Sequence, residues 1–116
     1  MTGMRLIRWL VGINLAFVAL QPVSAGFILS GYVGAVTVHR GVALALQAGG
    51  LIQAATAVVL WARRRAPGWV AGFSAGLFVV VFLQAGFGYR DWHWLHVPVG
   101  VALFGWLGRQ VTRLPA

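Results

Sequence analysis

Four stretches of the chain contain no Asp, Glu, Lys or Arg: Trp9–Leu29, Gly41–Ala62, Trp69–Phe87 and Trp92–Leu107, of 21, 22, 19 and 16 residues. A helix crossing the hydrocarbon of a bilayer needs about 20 apolar residues, within a range of roughly 17 to 25. Three runs meet that requirement outright. The fourth meets it when extended from Asp91 to about Arg109, because a basic side chain at a span end keeps its head in the interface while its stem lies in lipid. The connections Ser30–Arg40, Arg63–Gly68 and Gly88–Asp91 are short enough to force successive helices antiparallel. The expectation is an all-α integral membrane protein. Residues 1–116 form one domain, an antiparallel up-down-up-down four-helix transmembrane bundle with spans at about 9–29, 41–62, 69–87 and 92–109.

Composition supports a lipid environment and removes the main rivals. Hydrophobic residues make up 60% of the chain and charged residues 9%, far from the proportions of a water-soluble enzyme. The net charge of +8 arises from nine arginines set against one acid, Asp91. These arginines lie in short clusters between apolar runs rather than along one polar face, so nucleic acid is not an expected partner and membrane lipid is. Arg5, Arg8, Arg63, Arg64, Arg65, Arg109 and Arg113 fall on one side, and Arg40 and Arg90 on the other. The positive-inside rule then places both termini in the cytoplasm, as in a multi-pass plasma-membrane protein. All six tryptophans lie at or near span ends, where indoles favour the headgroup region. With no Cys there is no disulfide, thiolate metal site or covalently attached haem, so a cofactor would rest on His, Met or backbone.

Two local patterns bear on the first hairpin. Arg5 and Arg8, the apolar run after them and Val23-Ser24-Ala25 before Gly26 resemble a signal peptide with its cleavage site. Hydrophobicity nevertheless continues through Phe27-Ile28-Leu29, as a retained first span requires. The two hairpins also echo each other. Leu20-Gln21, Ala25-Gly26-Phe27, His39 and Gly41-Val42-Ala43-Leu44 recur in order as Leu83-Gln84, Ala85-Gly86-Phe87, His96 and Gly100-Val101-Ala102-Leu103, with different gaps. A repeated hairpin would place His39 and His96 at matching depth on the second and fourth helices.

Ionisable side chains inside a span are costly and usually have a partner or a role. Imidazoles on two helices of a bundle can ligate one haem iron from both sides, with the macrocycle slotted between the helices. At about 100° per residue, Leu46, Gly50 and Gln53 share the azimuth of His39, and Gly100, Leu103 and Leu107 that of His96. Gly50 and Gly100 are therefore candidate cofactor-binding positions beside the candidate iron ligands His39 and His96. Arg40 and Arg90 lie at the outer surface, where haem propionates would want cationic partners. Asp91 suits the N-cap of the fourth helix, and Pro98 should bend its first turns. The competing reading makes both histidines structural hydrogen-bonding groups and the arginines headgroup anchors, which is the reading preferred for His93. Gln21 and Gln84, near the depth of the histidines, could hydrogen-bond a ligand but with Asn14 read first as interhelical packing groups, and Gly72-Phe73-Ser74-Ala75-Gly76 reads as a close helix contact.

The opening of the last helix, Leu95-His96-Val97-Pro98-Val99-Gly100-Val101-Ala102-Leu103-Phe104-Gly105, together with His39 on the second, resembles the small four-helix b-type cytochromes of bacterial membranes. It is also similar to one half of haem A synthase, in which each half is a four-helix bundle with a His pair near the outer face. The resemblance covers nearly the whole chain in topology and few residues in detail. It implies haem b held by His39 and His96. Haem A synthase carries an acid near the ligand of its catalytic half and a cysteine pair in an outer loop; Ser30–Val38 has neither, so the similarity is to the cofactor-holding half. An electron carrier is then expected rather than a catalyst, exchanging electrons with a quinol or a partner protein, and a homodimer is compatible with this. A non-haem accessory subunit is the alternative. A small dimeric drug exporter fits less well, because its proton exchange needs a carboxylate within a span and none is present.

Overall fold

The structure is a computed structural model and describes residues 2–115. It contains four helices: α1 (Gly3–Leu29), α2 (Gly34–Ala62), α3 (Gly68–Tyr89) and α4 (His93–Arg113). Every helix runs past its charge-free stretch at one end or both. Helix α1 takes in Arg5 and Arg8, α2 takes in His39 and Arg40, and α4 takes in Arg109 and Arg113. Absence of charge marks the hydrocarbon layer, whereas backbone hydrogen bonding continues through the interface. Helices α1, α2 and α3 are long and apolar enough to cross a membrane. Helix α4 is long enough but less apolar, and does not join that group; it carries two histidines, two arginines and a glutamine.

All three connections use the same helix stop. At the ends of α1, α2 and α3 the N–H groups of Tyr32, Arg65 and Trp92 bond the carbonyls of Phe27, Leu60 and Phe87 at 3.0, 2.7 and 3.0 Å. The residues just before those donors, Gly31, Arg64 and Asp91, adopt φ of 90°, 56° and 56°. This is the Schellman arrangement, which satisfies the last carbonyls of a helix through one left-handed residue. The usual apolar contact accompanies the α1–α2 and α3–α4 turns: Phe27 meets Tyr32 edge-on at 5.5 Å, and Phe87 stacks on Trp92 at 6.1 Å. Asp91 therefore does not cap α4 as its sequence position suggested. It is used as the left-handed residue that ends α3, and the N-cap position of α4 is Trp92, with no side-chain cap bond. Pro98 lies inside α4, which continues unbroken to Arg113.

Each helix packs on two others, in a ring of α1 on α2, α2 on α3, α3 on α4 and α4 on α1. Helices α2 and α4 lie across the ring with their backbones apart, and meet through side chains that reach its middle. The molecule measures 49 × 23 × 20 Å. Its core is a narrow column that includes Ile7, Val11, Leu46, Leu77, Leu103 and Leu107. Around it, large apolar side chains such as Leu44, Val79, Phe82, Val97 and Val101 are exposed on all four helices. An apolar perimeter around an apolar core is the arrangement a lipid solvent requires.

One layer of the column is polar. Asn14, Gln53, Ser74 and Gln110, one from each helix, are all buried. Asn14 Nδ2 donates to Gln53 Oε1 (2.8 Å), Gln53 Nε2 donates to Ser74 Oγ and Gln110 Oε1 (both 3.1 Å), and Gln110 Nε2 donates to Ser74 Oγ (3.1 Å). Gly49 permits this layer to close, since a Cβ there would overlap Asn14 Oδ1. Of the glycines in the Gly72–Gly76 element, Gly76 makes the close contact, against the Trp106 indole, while Gly72 faces open space. Trp106 thus packs across α3 rather than sitting at a helix end.

Candidate functional site

The hydrogen-bonded pairs place the histidines at one end of the bundle. Ser24 of α1 meets His39 of α2 close to the first turn, and Gln84 of α3 meets His96 of α4 close to the third. The two imidazoles approach across the ring, with centroids 6.1 Å apart and planes inclined at 62°. Chain positions 57 residues apart are brought into one site although the backbones of the helices that bear them are not packed on each other.

Each ring is fixed through Nδ1. Ser24 Oγ lies 3.0 Å from the Gln21 carbonyl, to which it can donate, and 2.8 Å from His39 Nδ1; with the hydroxyl proton on the carbonyl, Oγ accepts from the ring and Nδ1 carries the proton. His96 Nδ1 lies 2.9 Å from the Gln84 carbonyl, which can only accept, so this nitrogen also carries the proton. The Gln84 side chain closes the pair by donating from Nε2 to the His96 carbonyl at 2.6 Å. Among the described residues neither Nε2 has a hydrogen-bond partner. A neutral imidazole bonded through Nδ1–H presents a free lone pair on Nε2, the form in which histidine ligates a metal.

Glycines decide how closely these groups approach. A Cβ at Gly88 would stand 2.8 Å from His96 Cε1, so the absence of a side chain there lets the ring lie against α3. A Cβ at Gly100 would stand 3.0 Å from Gln84 Nε2, so Gly100 admits the amide that holds His96. Gly50 is buried against Phe78, much nearer to Gln53 and the polar layer than to the histidines. Leu46, Gly50 and Gln53 on α2, and Leu103 and Leu107 on α4, are all buried, as the shared azimuth with each histidine required.

Arg40 and Arg90 are exposed at the rim and rest on aromatic rings, Arg40 over Tyr89 at 5.7 Å and Arg90 over Trp92 at 5.3 Å. His93 is exposed, 3.9 Å from Asp91. Among the described residues no group of three or more His, Cys, Asp or Glu is gathered to hold a metal ion unaided. Comparison with protein families, with curated proteins and with solved structures gives no match.

Sequence reasoning missed Ser24, which it read only within a cleavage-like tripeptide, and Gly88. It preferred packing for Gln84, with a hydrogen bond to a ligand as the alternative, and did not foresee its bonds to His96. The signal for Ser24 was available, because Ser24 and His39 are equidistant from the Gly31–Tyr32 turn and an antiparallel hairpin sets equidistant residues side by side.

Proposed function

We propose that this chain is a haem b-binding protein of the bacterial plasma membrane, an electron-transfer module near the outer face with His39 and His96 as axial ligands. The observation that carries the reading is the imidazole pair at 6.1 Å. Two iron–nitrogen bonds of roughly 2 Å, plus about 1 Å from each nitrogen to its ring centre, give a centroid spacing of about 6 Å for two ligands of one iron. The 62° inclination is no obstacle, because axial rings both contain the iron–nitrogen axis and are free to twist about it. A porphyrin supplies four nitrogens of its own, so two histidines are a full protein contribution even where no three-residue metal cluster exists. Nδ1 bonds on both rings and unpaired Nε2 atoms suit the same role.

In this reading all four helices cross the bilayer, α4 with its polar residues turned to the site, the polar layer and the interfaces. Asn14 pairs with Gln53 while Ser24 pairs with His39, and Ser74 with Gln110 while Gln84 pairs with His96. The opposed order of these contacts supports the up-down-up-down arrangement. When bound, haem supplies one-electron cycling with no position open for substrate. The chain's residues do the rest: Ser24 and Gln84 orient the ligands, Val18, Leu46, Val81 and Leu103 keep the interior dry, and Arg40 and Arg90 hold positive charge at the rim where propionates would emerge. A quinol or a partner protein would exchange the electrons.

The test is purification from a haem-replete host and an absorption spectrum. The expected result is a six-coordinate low-spin b-type signal that is lost in both His39→Ala and His96→Ala. A colourless wild type overturns the proposal in favour of a non-haem accessory subunit, and a low-spin signal surviving either substitution overturns the ligand pair.

A further inference from the structure

The two histidines are held by different means. His96 is gripped from α3 at three points. Its Nδ1–H bonds the Gln84 main-chain carbonyl (2.9 Å), its own carbonyl receives the Gln84 amide (2.6 Å), and its ring lies against Gly88 so closely that a methyl group would stand 2.8 Å away. A carbonyl inside a helix cannot turn aside. His39 has one close side-chain hydrogen bond, to the Ser24 hydroxyl at 2.8 Å, whose oxygen is shared with the Gln21 carbonyl, and that carbonyl stands behind it as a weaker backbone partner of the ring. A serine hydroxyl can swing away about its Cα–Cβ bond, and it is a weaker acceptor than a helix carbonyl.

We infer that Ser24 and Gln84 are positioning residues that fix His39 and His96 in the Nδ1–H tautomer, and that they do so unequally, making His96 the anchor of the pair and His39 the releasable member. Water favours the opposite tautomer of a free histidine, so the Nδ1–H form at both rings is imposed by these partners. The tautomer half of the inference stands on the hydrogen bonds alone. The anchor-and-release half rests on the haem reading. The group that accepts the Nδ1–H of a ligating histidine sets the ring's orientation and basicity, so the ring with the stronger and more rigid acceptor makes the firmer bond.

The first experiment uses apo protein labelled with 15N-histidine in detergent and reads each tautomer from long-range proton–nitrogen correlations, with exposed His93 as internal reference. Nδ1–H is expected at His39 and His96. Ser24→Ala should move His39 toward the Nε2–H form and leave His96 unchanged; Ser24→Thr, which restores a hydroxyl, should restore His39. Gln84→Leu keeps the main-chain carbonyl, so His96 should stay in the Nδ1–H form while its nitrogen shifts move with loss of the amide that bonds its own carbonyl, and His39 should be spared. An Nε2–H form at either ring of the wild type, or a His39 signal indifferent to Ser24→Ala, overturns the positioning assignment.

The second experiment compares pigment after haem loading. His39→Ala is expected to retain a five-coordinate high-spin pigment on His96, and His96→Ala to lose at least ten-fold more pigment. Equal loss, or greater loss in His39→Ala, overturns the inequality. A wild type that takes up no haem sinks the functional proposal, and the nitrogen spectra still decide the tautomers.

Discussion

At the scale of single residues the glycines carry sharper information than the histidines. Gly49 and Gly88 each stand where a methyl group would meet a fixed side chain, Asn14 in one case and the His96 ring in the other. Neither neighbour is the loose end of a flexible chain. Asn14 is tied to Gln53, and His96 to Gln84. Gly49→Ala is therefore expected to destabilise the bundle by about 1–3 kcal/mol, the usual range for overpacking. Most of that loss should vanish when Asn14→Ala removes the obstacle, a coupling that a double-mutant cycle of unfolding in detergent would measure. Gly88→Ala belongs to the site instead. Under the proposed haem function it should push the His96 ring off α3 and weaken the low-spin spectrum while leaving the unfolding midpoint nearly unmoved, and an unchanged spectrum would show that the ring does not need that contact.

The helices are legible one at a time because hydropathy is a local property, and the turns are legible only in part. The same helix stop recurs three times, yet just one of its left-handed positions is occupied by Gly. Gly31 announces itself, whereas Arg64 and Asp91 do not, since an L-residue in that conformation is uncommon and costs roughly 1 kcal/mol. Asp91 misled for that reason. An acid before a helix is ordinarily a cap, but the Gly88 and Phe87 carbonyls had first claim on this turn. Gly31→Ala is expected to cost about 1 kcal/mol and Asp91→Gly to stabilise by about 0.5 kcal/mol, as shifts of opposite sign in thermal midpoint. Equal shifts in one direction would contradict the shared geometry.

For the whole molecule, the two ends of the column are built for different tasks. The Asn14, Gln53, Ser74 and Gln110 layer ties all four helices together well away from the histidines. Gln53 makes three of its hydrogen bonds, and at about 0.6 kcal/mol each for bonds inside a membrane protein, Gln53→Leu should cost about 2 kcal/mol. The pigment spectrum expected under the proposed function should not change, because the layer sits about 20 Å along α2 from His39, fourteen residues at 1.5 Å each. Orientation can be tested on the same chain, which has no native Cys to interfere. Val33→Cys should react with a membrane-impermeant maleimide in intact cells, and Arg65→Cys should react only after permeabilisation. The reverse labelling pattern would invert the proposed topology.

Residue chemistry taken in chain order determined that this protein is helical, that three of its helices suit lipid, and which faces of α2 and α4 turn inward. Those properties depend on side chains within a turn or two of each other. Folding in three dimensions alone decided that His39 and His96 come within reach of one another, which nitrogen each ring leaves unpaired, and that four scattered amide and hydroxyl groups meet in one layer. Such outcomes require helix rotation, depth and crossing to agree across three turns at once, and that agreement is fixed by packing between helices rather than by any segment of the chain.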